Sequence, residues 1–227
     1  MNIQSANGRW LTANRHDTLH RPRVLRCLQL ALVALLILSP ARVSAYDGTP
    51  QELVRDASSR MLAALQAEKD VIAQNNQRLY DLVATIVLPY FDFKRMGQWV
   101  LGKNWRTATP DQRDRFVDEF KGLLVRTYGR ALLEYADEKI IYLPFHSDNK
   151  DATVTVRTEI ELHGSAPVDI TYAMYKTDTG WMVYDVTING VSLVTNYRST
   201  FSQIISNEGM DSLIKQLADR NGSQTGG

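Results

Sequence analysis

The hydrophobic period of this chain changes once, near Lys139, from 3.6 residues to 2, and that change restricts the fold more than any other feature. Upstream, Thr49-Pro50-Gln51-Glu52 is a capping box with proline at the first helical position, and Leu53, Ala57, Met61 and Leu65 follow at every fourth residue. A second helical stretch covers Asn76 to Leu88 and is closed by Pro89, and Phe91-Asp92-Phe93 opens a shorter one toward Leu101. Thr109-Pro110-Asp111-Gln112 repeats the start device. The helix it opens carries Phe116, Phe120, Leu123, Leu124, Thr127, Tyr128, Ala131 and Tyr135 on one face and would span about 39 Å. Downstream the alternation is Ile141, Leu143, Phe145; then Val154, Val156, Thr158, Ile160, Leu162; then Val168, Ile170, Tyr172, Met174; then Met182, Tyr184, Val186, Ile188. Ser147-Asp148-Asn149, His163-Gly164-Ser165 and Asp178-Thr179-Gly180 supply the turns between them. The expected class is therefore α+β, with helices covering one face of a curved, four-stranded antiparallel sheet.

Before the first capping box lies a segment of a different kind. Arg9, Arg15, Arg21, Arg23 and Arg26 precede the apolar run Leu28 to Leu38, and Val43-Ser44-Ala45 offers a small-x-small cleavage site, so residues 1–45 read as a signal peptide. The apolar run is too short to cross a bilayer, which takes about 20 residues. Cys27 falls within the removed segment, leaving a secreted chain without disulfide or thiolate chemistry. Removal also takes six of the 26 Lys and Arg and one of the 25 Asp and Glu, leaving 20 against 24, a net charge of −4. A nucleic-acid partner is thereby disfavoured. The body, residues 46–219, divides into a helical part at about 49–136, a sheet at about 138–189 and C-terminal helices at about 190–219. Within that last part, helical stretches run from Asn196 to Ile205 and from Met210 to Ala218. The polar, glycine-containing residues 220–227 read as a disordered tail.

Catalytic chemistry is scarce. His146 and His163 sit at turns with no ligand partner at metal spacing, and they read as surface histidines. Gly190-Val191-Ser192-Leu193-Val194 lacks the second glycine of a nucleophile elbow. Asp185, on the last long strand, admits two readings. It is either a base for a small isomerase or hydrolase on a curved sheet, or a structural partner of Arg198 or Arg130. The aromatic residues are the remaining signal, and an ordinary core and the lining of a cavity produce the same aromatic pattern. Tyrosine dominates among them, however, and a buried phenol must find a partner or reach a wet mouth.

Several motifs occur together and in order. They are Gly97 through Arg106 (GQWVLGKNWR), Thr109-Pro110-Asp111-Gln112, Phe116 with Phe120, Leu124-Val125-Arg126-Thr127-Tyr128, Tyr184-Asp185-Val186, Gly190-Val191-Ser192-Leu193 and Asn196-Tyr197-Arg198. This set resembles the periplasmic phospholipid carriers of the Mla (maintenance of lipid asymmetry) transport system, also called the toluene-tolerance protein family, over roughly Thr49 to Leu217. The resemblance implies a nuclear-transport-factor-like curved sheet with a helical subdomain and acyl chains held between them. It implies phospholipid as cargo, no cofactor, no metal and no catalytic set. The implied partners are an outer-membrane lipoprotein–porin complex and an inner-membrane ABC transporter with its substrate-binding ring, served by a periplasmic monomer. On this basis Trp99, Leu101, Phe120, Leu124, Tyr128, Tyr142, Tyr172, Tyr184, Val191, Leu193 and Tyr197 are expected to line or border the acyl cavity. Arg106 and Arg198 are candidates for the phosphate end or for structural ion pairs. A periplasmic interaction module with a dry core is the further alternative.

Overall fold

The structure, a computed structural model, describes residues 48–145 and 152–223. The signal segment, the turn at 147–149, His146 and residues 224–227 lie outside the described residues. Helix α1 (Pro50–Ala67) starts at Thr49, whose hydroxyl accepts from the Glu52 amide while the Glu52 carboxylate accepts from the Thr49 amide. After α2 (Lys69–Gln74), the Asn75 side chain caps α3 (Asn76–Ile86), and a 3₁₀ turn follows at Leu88–Tyr90. Asp92 then caps α4 (Phe93–Leu101), which ends at Gly102 with φ +54° and leads into the short α5 (Lys103–Thr107). The second capping box, Thr109 with Gln112, opens α6 (Pro110–Glu134), 25 residues long.

Five strands form one antiparallel sheet in sequential order: β1 (Lys139–Tyr142), β2 (Thr153–Glu161), β3 (Val168–Thr177), β4 (Gly180–Ile188) and the two-residue β5 (Val191–Ser192). The alternation pattern accounts for four of these. The fifth comes from Asn189-Gly190, whose φ values of 47° and 80° are both positive, as a tight two-residue hairpin turn requires. Helices α7 (Leu193–Glu208) and α8 (Met210–Ser223) follow the sheet. Helix α8 continues past the expected boundary at residue 219. Asn221 is buried and its Nδ2 donates to the Glu119 carbonyl (2.9 Å) and carboxylate (2.7 Å) of α6, so residues 220–223 belong to the fold and not to a tail.

Two strands carry their side chains differently from the simple alternation. In β1 the pairs Ile140↔Ile160 and Tyr142↔Thr158 put Ile140 and Tyr142 on the inner face, one residue out of phase with Ile141, Leu143 and Phe145. In β4, Ala173 pairs with Asp185 and the next pair is Met174↔Val183, so Tyr184 is an extra, bulged residue. Trp181 and Val183 therefore face inward before the bulge and Val186 after it. Met182 and Tyr184 turn to the outer side.

The buried apolar residues form two clusters. The larger one joins Phe116, Phe120, Phe201 and Leu213 with Val156, Met174 and Val183 of the sheet; Phe116 and Phe120 stack at 5.7 Å, and Phe201 meets them edge-on. The smaller one packs Met61, Leu65, Leu79, Leu82 and Val83 together within the helical layer. Between the two clusters lies a space that neither fills.

Candidate functional site

That space is a cavity of ≈ 240 Å³ lined by α1, the α3–α4 segment, the C-terminal half of α6 and the inner face of the sheet. A single buried water needs only about 10–15 Å³ and two to four polar partners, so the space is large and the wall too apolar to hold ordered water throughout. Both hydrophobic clusters contribute to the wall: Met61, Leu65 and Val83 from the smaller, Leu53, Met96 and Leu124 from the larger. Packing behind the wall thus holds the cavity open. Among the described residues, no lysine, arginine, histidine, aspartate or glutamate lines it. The polar groups it does contain are hydroxyls, on Ser58, Tyr90, Tyr128, Thr158 and Tyr172.

Exposure rises along the sheet from one end of the cavity to the other. The inner-face row Val156–Tyr172–Val186 sits beside fully buried Met174. One row further, Tyr142–Thr158–Ile170–Ile188–Val191 crosses all five strands and ends at Val191, 55% exposed. On α6, Leu132 also lines the cavity and is 37% exposed. By exposure the mouth lies at the hairpin end of the sheet wall, where Ile170 and Ile188 are half-buried and Val191 is exposed, while the other end of the sheet wall carries buried Val183, to which half-buried Phe91 bridges.

Burial pushes the Tyr128 phenol up to about 12, with the neighbouring Tyr197 adding to the shift. The Tyr172 phenol is also raised by burial, and the Thr158 hydroxyl beside it offsets part of that effect. Both stay protonated at ordinary pH, so the wall remains uncharged.

Of the residues singled out in the sequence, Leu124, Tyr128, Tyr172 and Leu193 line the cavity. The others stand elsewhere. Leu101 and Phe120 are sealed in the larger cluster, and Tyr197 packs edge-on against Phe120 at 5.4 Å. Tyr142 is at the sheet edge, covered by the Arg55 guanidinium 3.9 Å above its ring. The bulge turns Tyr184 outward, where Trp99, 45% exposed, meets its ring at 5.1 Å. Val191 shares the inner face with Ile188 but lies beyond the mouth in solvent.

Arg106 is exposed, and no ion pair of it appears among the described residues. Arg198 lies over Gly102 at the C-terminus of α4, its guanidinium 2.8 Å from where a Cβ would stand. Asp185 pairs with neither Arg198 nor Arg130. Its carboxylate accepts from Ser192 Oγ (2.6 Å) and the Val194 amide (3.1 Å), fixing the start of α7. His163 Nδ1 is 2.9 Å from a Glu138 carboxylate oxygen on the surface.

Many of the wall residues that sequence reasoning missed come from α1 and the α3–α4 segment, such as Val54, Leu62, Val87, Phe91 and Phe93, and others, such as Leu132, Ile160, Ile170 and Val186, from α6 and the sheet. Their periodicity marks a buried face. Nothing in it distinguishes a face against a neighbour from a face against a void.

Fold and site together define an α+β protein with an uncharged apolar cavity between an open antiparallel sheet and a helical layer. The chain belongs to the MlaC protein family, which it matches over residues 55–219. It is 26% identical over 193 residues to the intermembrane phospholipid transport system binding protein MlaC of Haemophilus influenzae, covering 84% of this chain and 89% of that one. It is 28% identical over 190 residues to the toluene tolerance protein ttg2D of Pseudomonas putida, covering 83% and 87%. Among solved structures it is similar to a phospholipid-binding protein from Ralstonia solanacearum in complex with a phospholipid. That likeness has TM-score 0.73 and 34% identity, covering 78% of this chain and 99% of that chain.

Proposed function

We propose that this chain is a phospholipid carrier that holds acyl chains in the apolar cavity and leaves the headgroup at the mouth. The observation that carries the reading is the cavity wall, which has no charged side chain and suits hydrocarbon while giving no acid–base or metal chemistry a foothold. Membership of the MlaC family and the phospholipid in the similar Ralstonia structure support it. Two acyl chains with about 30 methylenes would cost on the order of 24 kcal/mol to expose to water at ~0.8 kcal/mol each, so an unescorted lipid does not cross an aqueous gap. A carrier has only to match the hydrocarbon environment of the bilayer. Transfer is then nearly isoenergetic, and direction comes from the partners.

In this reading the mature protein works in the periplasm as a monomer after removal of residues 1–45. It passes lipid between an outer-membrane lipoprotein–porin complex and an inner-membrane ABC transporter with its substrate-binding ring, and so maintains outer-membrane lipid asymmetry. Phospholipid is cargo and not a cofactor, and the protein is a carrier and not an enzyme. Asp185, the one candidate base, is engaged at the start of α7. Arg106 and Arg198 are kept as proposals for contacts near a bound headgroup or a partner. Mass spectrometry of an organic extract of the purified mature protein tests the reading. Intact phospholipid near one molecule per protein is expected, and a lipid-free extract from gently purified protein would overturn it.

A further inference from the structure

One fully buried hydroxyl on the cavity wall stands apart from the rest. Thr158 lines the cavity from β2, the strand between β1 and β3, and is 2% exposed. Its Oγ1 is buried and makes no hydrogen bond of ordinary length and angle, the Tyr172 phenol being the polar group beside it. A buried hydroxyl left unpaired is destabilising, and valine would fill the same volume without that penalty. The other wall hydroxyls differ. Tyr90 accepts from Arg60 Nη2 at 2.7 Å, Tyr128 has Tyr197 beside it, and Ser58 is only half-buried. Tyr172, by contrast, is diagonal to Thr158 on the adjacent strand, close enough for the Thr158 hydroxyl to influence its phenol. The two make a polar spot on an otherwise hydrocarbon sheet wall. Because threonine populates more than one χ1 well, its hydroxyl and methyl can exchange places at the wall without backbone movement.

The position of the spot indicates what it meets. Thr158 belongs to the row that ends in solvent at Val191, one row from Val156–Tyr172–Val186 on the deep side. A lipid with its tails at the deep end and its headgroup at the mouth brings its glycerol esters to this level. The wall has no cation to pair with an ionised group, and burying one unpaired is costly, so the acceptor must be neutral. An ester carbonyl is such an acceptor.

We propose that Thr158, with Tyr172 beside it, forms a polar anchor that donates a hydrogen bond to an ester carbonyl of the bound acyl glycerolipid, giving the carrier a preference for ester-linked over ether-linked lipid. This deepens the carrier reading and rests on it. The test is competitive loading of delipidated mature protein with diacyl phosphatidylglycerol and its dialkyl ether analogue of equal chain length. Wild type is expected to favour the diacyl lipid by about 3- to 10-fold, the range of one net hydrogen bond. In Thr158→Val the preference for the diacyl lipid disappears, whatever the total loading, and Thr158→Ser, which keeps the hydroxyl, retains it. With carbonyl-¹³C-labelled lipid, the ester stretch is lower in frequency in wild type than in Thr158→Val. Equal loading of the two lipids by wild type, or an undiminished preference in Thr158→Val, overturns the anchor while leaving the carrier reading intact. Failure of wild type to load either lipid overturns both.

Discussion

Replacing Asp185 by alanine separates a structural carboxylate from a catalytic one. The wild-type carboxylate accepts two hydrogen bonds, from Ser192 Oγ at 2.6 Å and from the Val194 amide at 3.1 Å, at the N-terminus of α7. Ser192 is not stranded by its loss, because Oγ also accepts from the Thr195 amide at 3.1 Å and lies 3.2 Å from Thr195 Oγ1. The Val194 amide is stranded, in a residue only 4% exposed. A hydrogen bond to a charged group contributes about 1.5–3 kcal/mol and the favourable placement of a negative charge at a helix start about 0.3–1 kcal/mol. The loss on Asp185→Ala is therefore about 2–4 kcal/mol, a fall in Tm on the order of 10 °C for a chain of this size. Asp185→Asn keeps an amide oxygen for Val194 and loses mainly the charge, so about 1 kcal/mol is expected. Differential scanning calorimetry reads both, and phospholipid per protein is measured on the same samples. Lipid content stays at the wild-type level in both variants, because Asp185 does not line the cavity. The reasoning fails if Asp185→Ala leaves Tm unchanged, or if Asp185→Asn removes an enzymatic turnover at intact stability.

Gly102 combines φ +54° with ψ −118°, a region that residues with a Cβ avoid, so Gly102→Ala is expected to cost about 1–3 kcal/mol in urea unfolding. Most of that loss remains in the double variant with Arg198→Ala, because the flexible Arg198 guanidinium can swing away from the new methyl. Trp99→Ala removes the ring contact with Tyr184 and costs about 0.5–1.5 kcal/mol beyond lost area, with lipid loading unchanged, since Trp99 stands outside the cavity. The raised phenol of Tyr128 gives stability that is complete below pH 10 and is lost as pH rises from 10 toward about 12. Tyr128→Phe is expected to flatten that alkaline limb of the Tm profile, and wild-type loading is expected to be constant from pH 5 to 9.

The two capping boxes at Thr49 and Thr109 were legible because both partners of each reciprocal hydrogen bond lie within four residues of sequence. The strands of the meander were legible for the same local reason. Tyr184 shows where that logic stops. One extra residue in β4 reverses the facing of everything before it, and no local pattern marks the place, since Met182, Tyr184, Val186 and Ile188 alternate as well on paper as Trp181 and Val183 do in space. Ile140 in β1 was a slip of one residue with the same consequence. Asn189-Gly190 did carry a signal, the strongest short hairpin dipeptide, and it accounts for β5. The cavity itself is a property of distances between elements. Leu124 and Leu101 are equally apolar, yet one faces the void and the other a packed core. Motif position could not tell them apart, nor could it show that Trp99 and Tyr184 meet on the outer side of the sheet.

The central claim is that lipid tails occupy the cavity between the sheet and α6, and photolabelling tests it most directly. Mature protein loaded with a phospholipid carrying a diazirine in its acyl chain is irradiated, digested and mapped by mass spectrometry. Adducts are expected on Leu124 or Tyr128 of α6 and on Ile160, Tyr172 or Val186 of the sheet, all cavity-lining residues. Adducts confined to the outer aromatic face at Trp99 and Tyr184 would contradict it.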